Sequence, residues 1–78
     1  MIKFNEFIRE FEQVIEKPAG SLDGSESLSD MEGWDSMAMV AFIAMADSVL
    51  GATVTVKDLI ACKNVSDLAR LFPDKILM

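Results

Sequence analysis

The chain has 78 residues, of which 51% are hydrophobic and 26% are charged. A separate core needs on the order of 50 residues, so we expect one domain over residues 1–78. Thirteen acids against seven bases give a net charge of -6. This balance repels phosphate backbones and anionic membranes, and it argues against nucleic acid as a partner.

The acids are concentrated in the middle of the chain. Residues 18–50 contain six Asp and Glu residues and no base, whereas acids and bases nearly balance on either side. The net charge therefore lies in one segment, which needs a functional explanation.

The chain has no His and a single Cys, which excludes an imidazole base, a disulfide and a zinc-ligand cluster. We therefore expect no catalytic residue, no metal and no enzyme activity, with a small enzyme as a distant alternative. The longest apolar run, residues 37–46, is shorter than the ~20 residues of a membrane span, and the N-terminus lacks an apolar signal core. We expect a cytoplasmic protein without a membrane span.

The first predicted helix covers residues 3–16 and ends before Pro18, because proline cannot continue a helix. Its apolar residues recur at steps of three and four, which places them on one stripe: Phe4, Phe7, Ile8, Phe11, Val14 and Ile15. A long Gly- and Ser-rich loop follows up to Asp35. Its spaced apolar residues Leu22, Leu28 and Met31 could hold it against the core, which favours an ordered loop.

The second predicted helix covers residues 36–50, with Asp35 or Ser36 as its N-cap and Gly51 as its terminator. It is apolar nearly all round. The predicted core side, with Met39 at its edge, consists of Phe42, Ile43, Ala46, Val49 and Leu50. The opposite side consists of Met37, Val40, Ala41, Ala44 and Ser48, and nothing obvious covers it.

The remainder predicts an extended segment at 52–55, a short helix at 56–61 capped by Thr55, and a last helix at 65–72 capped by Asn64. The inward residues of the last helix are Val65, Leu68, Leu71 and Phe72. The fold class is all-α, a small bundle of three main helices and one short helix.

Ser36 lies where the acidic loop meets the apolar helix. A hydroxyl there is at the positive end of a helix dipole beside free backbone N–H groups, which favours a phosphate ester. The alternative is that Asp35 and Ser36 form a plain N-cap.

Residues 28–37 (Leu-Ser-Asp-Met-Glu-Gly-Trp-Asp-Ser-Met) resemble the attachment-site signature of the acyl carrier protein family, an acidic loop that ends in Asp-Ser-Leu or Asp-Ser-Met. Residues 49–54, 58–59 and 64–69 resemble the second loop, short third helix and fourth helix of that family. The resemblance extends over most of the chain and implies a four-helix bundle of acyl-carrier-protein type.

The resemblance implies that Ser36 receives 4′-phosphopantetheine from coenzyme A through a phosphopantetheinyl transferase. The thiol of this arm then carries an acyl or aminoacyl group as a thioester. The partners would be this transferase and the enzymes that load and process the cargo, and we expect the carrier to be a monomer. The alternative function is an unmodified, small acidic helical interaction module.

The uncovered side of the second helix predicts a partner-binding surface, because an exposed apolar strip beside a functional group marks an interaction site. Its residues are Asp35, Met37, Val40, Ala41 and Ala44. The alternative is a helix that is more deeply buried.

Carriers of fatty acid synthesis typically show several acids on this helix face. Here the helix has only Asp47, with Ala38, Ala41 and Ser48 at positions where acids would be expected. This departure indicates a specialised lipid, polyketide or aminoacyl pathway.

Two further residues have simple interpretations. Trp34 is expected to hold the loop against the start of the helix rather than to contact a substrate. Cys62 is expected to be a small hydrophobe without chemistry.

A cavity that shelters the cargo would be lined by Phe42, Ile43, Leu59, Ile60, Val65 and Leu68, and a solid core is the alternative.

Overall fold

The computed structural model describes all residues, 1–78, as a helical fold with one small strand pair. The helices are α1 (Phe4–Val14), α2 (Ser36–Met45), α3 (Val56–Ile60) and α4 (Val65–Arg70), and the strands are β1 (Ile2–Lys3) and β2 (Ile76–Leu77). The predicted four-helix architecture is confirmed, and each helix lies within its predicted range.

Phe42 of α2 lies at the centre of the core, without solvent exposure. Its ring makes edge contacts with Phe7 and Phe11 of α1 at centroid distances of 6.1 and 6.0 Å, and it also contacts Trp34 and Phe72. Such aromatic pairs each contribute about 0.5–1.5 kcal/mol beyond their area burial. The apolar stripe of α1 and the centre of α2 therefore form one core.

After Met45 the second helix continues as one π-helical turn, Ala46–Leu50. The N–H of Gly51 reaches the carbonyl of Ala46, five residues back, and Gly51 ends the helix with φ 63°. The wider turn rotates the last residues relative to an ideal α-helix. Leu50 is therefore buried, whereas Val49, which was predicted to face the core, is 38% exposed.

Ala38 also differs from its prediction. It is only 6% exposed, because it lies four residues before Phe42 on the same buried stripe of α2. Ala38 is therefore not a surface position at which an acid is merely missing.

The two strands pair in parallel, with Ile2 opposite Ile76. The N–H of Ile2 donates to the carbonyl of Lys75 at 2.9 Å, and Ile76 is buried. The sequence did not predict this pair, because two-residue strands have no periodicity and form only when the rest of the fold brings the termini together.

The long loop before α2 is ordered, and Glu12 of α1 anchors its beginning. This carboxylate is 1% exposed and accepts N–H groups from Gly20 and Leu22 at 2.9–3.2 Å. It also pairs with Arg9 at 3.0 Å. All these donors compensate the burial of the charge, since a buried carboxylate is tolerated only when it is paired.

The middle of the loop is held by the start of α4. Gly24 accepts hydrogen bonds through its carbonyl from the N–H and the hydroxyl of Ser66, at 2.9 and 2.7 Å. The N–H of Leu28 donates to the carbonyl of Lys63 at 2.9 Å. Leu28 is buried, and Leu22 and Met31 pack against the core, so the predicted apolar anchors are confirmed. The loop therefore presents the start of α2 from a fixed position.

Candidate functional site

The N-cap of α2 is Asp35. Its Oδ1 atom accepts the N–H of Ala38 at 2.9 Å, and its carbonyl accepts the N–H of Met39 at 2.9 Å. Of the two predicted caps, the structure selects Asp35.

Ser36 is the first residue of α2 and is exposed. Because Asp35 caps the helix, the hydroxyl of Ser36 makes no hydrogen bond with the chain. The N–H groups of Ser36 and Met37 are also unpaired, and the first turn contains no acid. An accessible hydroxyl beside free N–H groups at the positive end of a helix fits a phosphate ester.

The two residues before the cap hold this helix start in place. Trp34 is half-buried, and its ring lies 5.5 Å from that of Phe11 and 5.9 Å from that of Phe42. Gly33 adopts φ 90°, and a Cβ atom there would lie 3.1 Å from the carbonyl oxygen of Ile15. Trp34 therefore pins the loop to the core, as predicted.

Comparison with models of known protein families assigns the chain to a family. The family described as "Phosphopantetheine attachment site" matches residues 5–72. The chain belongs to the acyl carrier protein family. Neither the curated proteins nor the solved structures give a significant match.

Members of this family are non-catalytic carriers with a 4′-phosphopantetheine prosthetic group. The predicted cofactor and the prediction that the carrier is not an enzyme are thus confirmed by the family. A carrier of this kind interacts with a phosphopantetheinyl transferase and with acyl-processing enzymes. Within the fold, no helix has both the length and the apolar character required to cross a membrane.

The carrier exposes the apolar strip that the sequence predicted on α2. Met37 is 81% exposed and Val40 is 64% exposed, and Ala41 and Ala44 are also exposed. The alternative of a deeply buried helix is therefore wrong for this face.

α3 also carries exposed apolar residues, which the sequence did not predict. Val56 and Ile60 are large exposed hydrophobic residues, and α3 packs beside α2. Ile60 was predicted to line an internal cavity and instead faces solvent. Because α3 has a single buried residue, Leu59, its periodicity was too short to orient it.

The region proposed as a cargo cavity is packed. Four of its predicted lining residues are at most 1% exposed, namely Phe42, Leu59, Val65 and Leu68. The principal surface pockets are lined by other residues. The solid-core alternative therefore describes this structure.

Cys62 has no feature of a reactive thiol. Burial raises its pKa, and the nearby carboxylates of Asp67 and Asp58 raise it further. A thiol with a raised pKa is a poor nucleophile at neutral pH, which agrees with its predicted role as a small hydrophobe.

Proposed function

We propose that Ser36 is the residue to which 4′-phosphopantetheine is attached, as a phosphodiester on its Oγ atom. The Oγ–P bond forms as the pyrophosphate bond of coenzyme A breaks, and adenosine 3′,5′-bisphosphate leaves. The observation that carries this proposal lies at the start of α2. Asp35 caps the helix, which leaves the Ser36 hydroxyl free and exposed. The bound group would supply a terminal thiol that carries an acyl or aminoacyl cargo as a thioester.

Incubation with coenzyme A and a broad-specificity phosphopantetheinyl transferase tests this assignment by intact-protein mass. The wild type should gain one phosphopantetheinyl group, and Ser36→Ala should gain none. Ser48→Ala is the matched control, because Ser48 is an exposed serine of the same helix and should not affect the gain. No gain in the wild type would favour the unmodified interaction module.

We also infer that partner enzymes bind the surface formed by Asp35, Met37, Val40, Ala41 and Ala44. Asp35 is the one charged member, and the other four residues form an exposed apolar surface next to Ser36. A partner that covers it gains burial energy of about 25 cal/mol per Å² of apolar area. Val56 and Ile60 of α3 extend it.

Val40→Glu tests the partner surface on the holo form. A carboxylate in the middle of an apolar interface loses its hydration, so the acyl-loading rate of a cognate enzyme should fall at least about tenfold. Ser48→Glu adds the same charge in the π-helical turn that follows α2, outside the proposed surface, and should leave the rate nearly unchanged. Equal rates for both variants would contradict the proposal.

We infer a specialised lipid, polyketide or aminoacyl pathway from the lack of acids on the exposed face of α2. Asp47 is the only acid between Ser36 and Leu50, so basic patches on housekeeping partners find little complementary charge. A malonyltransferase of fatty acid synthesis should therefore load the holo carrier slowly, and the double variant Ala41→Glu/Ser48→Glu should be loaded faster. Fast loading of the wild type would contradict this inference.

A further inference from the structure

A groove of about 340 Å³ runs between the end of α1 and the start of α2. One wall is formed by Val14 and Ile15, and the other by Met37 and Ala41. Asp35 also lines it, so both sequence neighbours of Ser36 belong to the groove. A group attached to Ser36 therefore starts at its edge.

The way in which α1 ends leaves hydrogen-bond acceptors free in one wall. Glu16 adopts a left-handed conformation, φ 59°. Its N–H donates to the carbonyl of Gln13, and the N–H of Lys17 donates to the carbonyl of Glu12. This Schellman arrangement satisfies the earlier carbonyls of the last turn.

The carbonyls of Val14 and Ile15 accept no hydrogen bond from the chain. Pro18 follows four residues after Val14 and has no N–H to offer it. Ile15 is 5% exposed, and its carbonyl oxygen lies beside Gly33, where an added Cβ atom would be 3.1 Å from it. Both residues line the groove. An unpaired backbone acceptor at a largely buried residue is unfavourable, so an amide N–H from an occupant would stabilise this wall.

The groove disfavours a negatively charged occupant. No Lys or Arg lines it, whereas the acidic residues Glu16 and Asp35 do. These charges disfavour an anionic occupant such as a free fatty acid. Apolar walls with free carbonyls fit a neutral chain that carries amide groups, which is the chemistry of a pantetheine arm.

We propose that this groove holds the pantetheine arm of the holo carrier when no partner is bound, with arm amides donating to the carbonyl of Ile15. The proposal rests on the attachment at Ser36. It places the resting arm on the α1 side of α2, away from Val56 and Ile60 of α3.

NMR spectroscopy of the carrier before and after modification tests the proposal without any partner enzyme. In the holo form, the methyl groups of Val14, Met37 and Ala41 should shift and show nuclear Overhauser contacts to the arm. The methyl groups of Val56 and Ile60 should do neither. Intact mass first confirms that the arm is attached, so a failure of attachment is distinguished from a failure of docking.

Ala41→Phe should fill the groove and abolish the contacts of the arm to Val14, measured in a sample that intact mass shows to be fully modified. Ala44→Phe is the matched control, because Ala44 is exposed on the same helix and does not line the groove. In this variant the contacts between the arm and Val14 should persist. A holo wild type without contacts to Val14, or with contacts to α3 instead, would overturn the proposal.

Discussion

The first N–H groups of α2 and of α4 have no partner within their own helices, and the two helix starts differ in how many of these groups are hydrogen-bonded. At α4, Asn64 caps the N–H of Asp67 at 2.9 Å, and the Asp67 carboxylate accepts the N–H groups of Lys63 and Asn64 at 3.0 and 3.3 Å. At α2, Asp35 caps one N–H group, and the third helical residue is Ala38 instead of an acid.

This difference shows that the open end of α2 is a local exception. The chain builds reciprocal capping boxes at both α3 and α4, so the usual solution is available to it. At α2 the position of the second carboxylate is occupied by the buried Ala38, and the unused N–H groups surround Ser36. Packing of the core and openness of the helix start around Ser36 thus depend on the same small side chain.

Ala38→Asp would make the start of α2 resemble that of α4, and it should give the largest effect. Because Ala38 is buried beside the core, we expect the added carboxylate to lower the free energy of unfolding by about 2 kcal/mol. Chemical denaturation measures this change. Ala41→Asp adds the same carboxylate at an exposed position of α2, so this control should cost much less. A more stable Ala38→Asp variant would show that packing does not keep this end open.

Asp35→Ala removes the single cap of α2 and should lower the free energy of unfolding by about 1 kcal/mol. Asp47→Ala is the control: it deletes an exposed carboxylate that makes no hydrogen bond, and it should have little effect. If both variants unfold at the same denaturant concentration, the capping role of Asp35 is wrong.

The capped start of α4 should stabilise the fold less at low pH. The hydrogen bond from the Lys63 N–H lowers the pKa of Asp67, and the Asn64 N–H and Arg70 lower it further. A carboxylate with a lowered pKa in the folded state stabilises the fold above its unfolded pKa, about 4, and this contribution is lost as the pH falls. The melting temperature of the wild type should therefore exceed that of Asp67→Asn at pH 7, and the gap should narrow towards pH 3. A constant gap would contradict the role of the charge.

Ser36→Ala should give the smallest change in stability, within about 0.5 kcal/mol, because the hydroxyl has no partner in the fold. Ser66→Ala, near the start of α4, removes a hydroxyl that donates to the carbonyl of Gly24 at 2.7 Å and should cost about 1 kcal/mol. Thermal unfolding of the two variants compares a free serine with a structural one. A larger loss of stability for Ser36→Ala than for Ser66→Ala would contradict this expectation.

The features that the sequence predicts well are local ones. The stripe of α1 follows from steps of three and four residues, and Phe7, Ile8, Phe11 and Ile15 are buried as expected. The start of α2 at Ser36 was predicted correctly, because an acidic loop, an Asp-Ser pair and an apolar helix follow one another directly. Each of these signals lies within a few residues of its consequence.

The features that were missed depend on distant contacts. In the sequence, Glu12 looks like any other surface acid. It is buried because N–H groups of the following loop donate to its carboxylate. The exposure of Val49 depends on a π-helical turn, and that of Ile60 depends on how a five-residue helix docks. No short pattern contains this information, because the partner groups come from other elements.

Fragment-ion mass spectrometry of the modified carrier shows directly which residue holds the phosphopantetheinyl group. It locates the group among all the serines of the chain, several of which lie in the same acidic loop. We expect the group on Ser36 alone. Its location on any other serine, or its absence after incubation with coenzyme A and an active transferase, would contradict the assignment of Ser36.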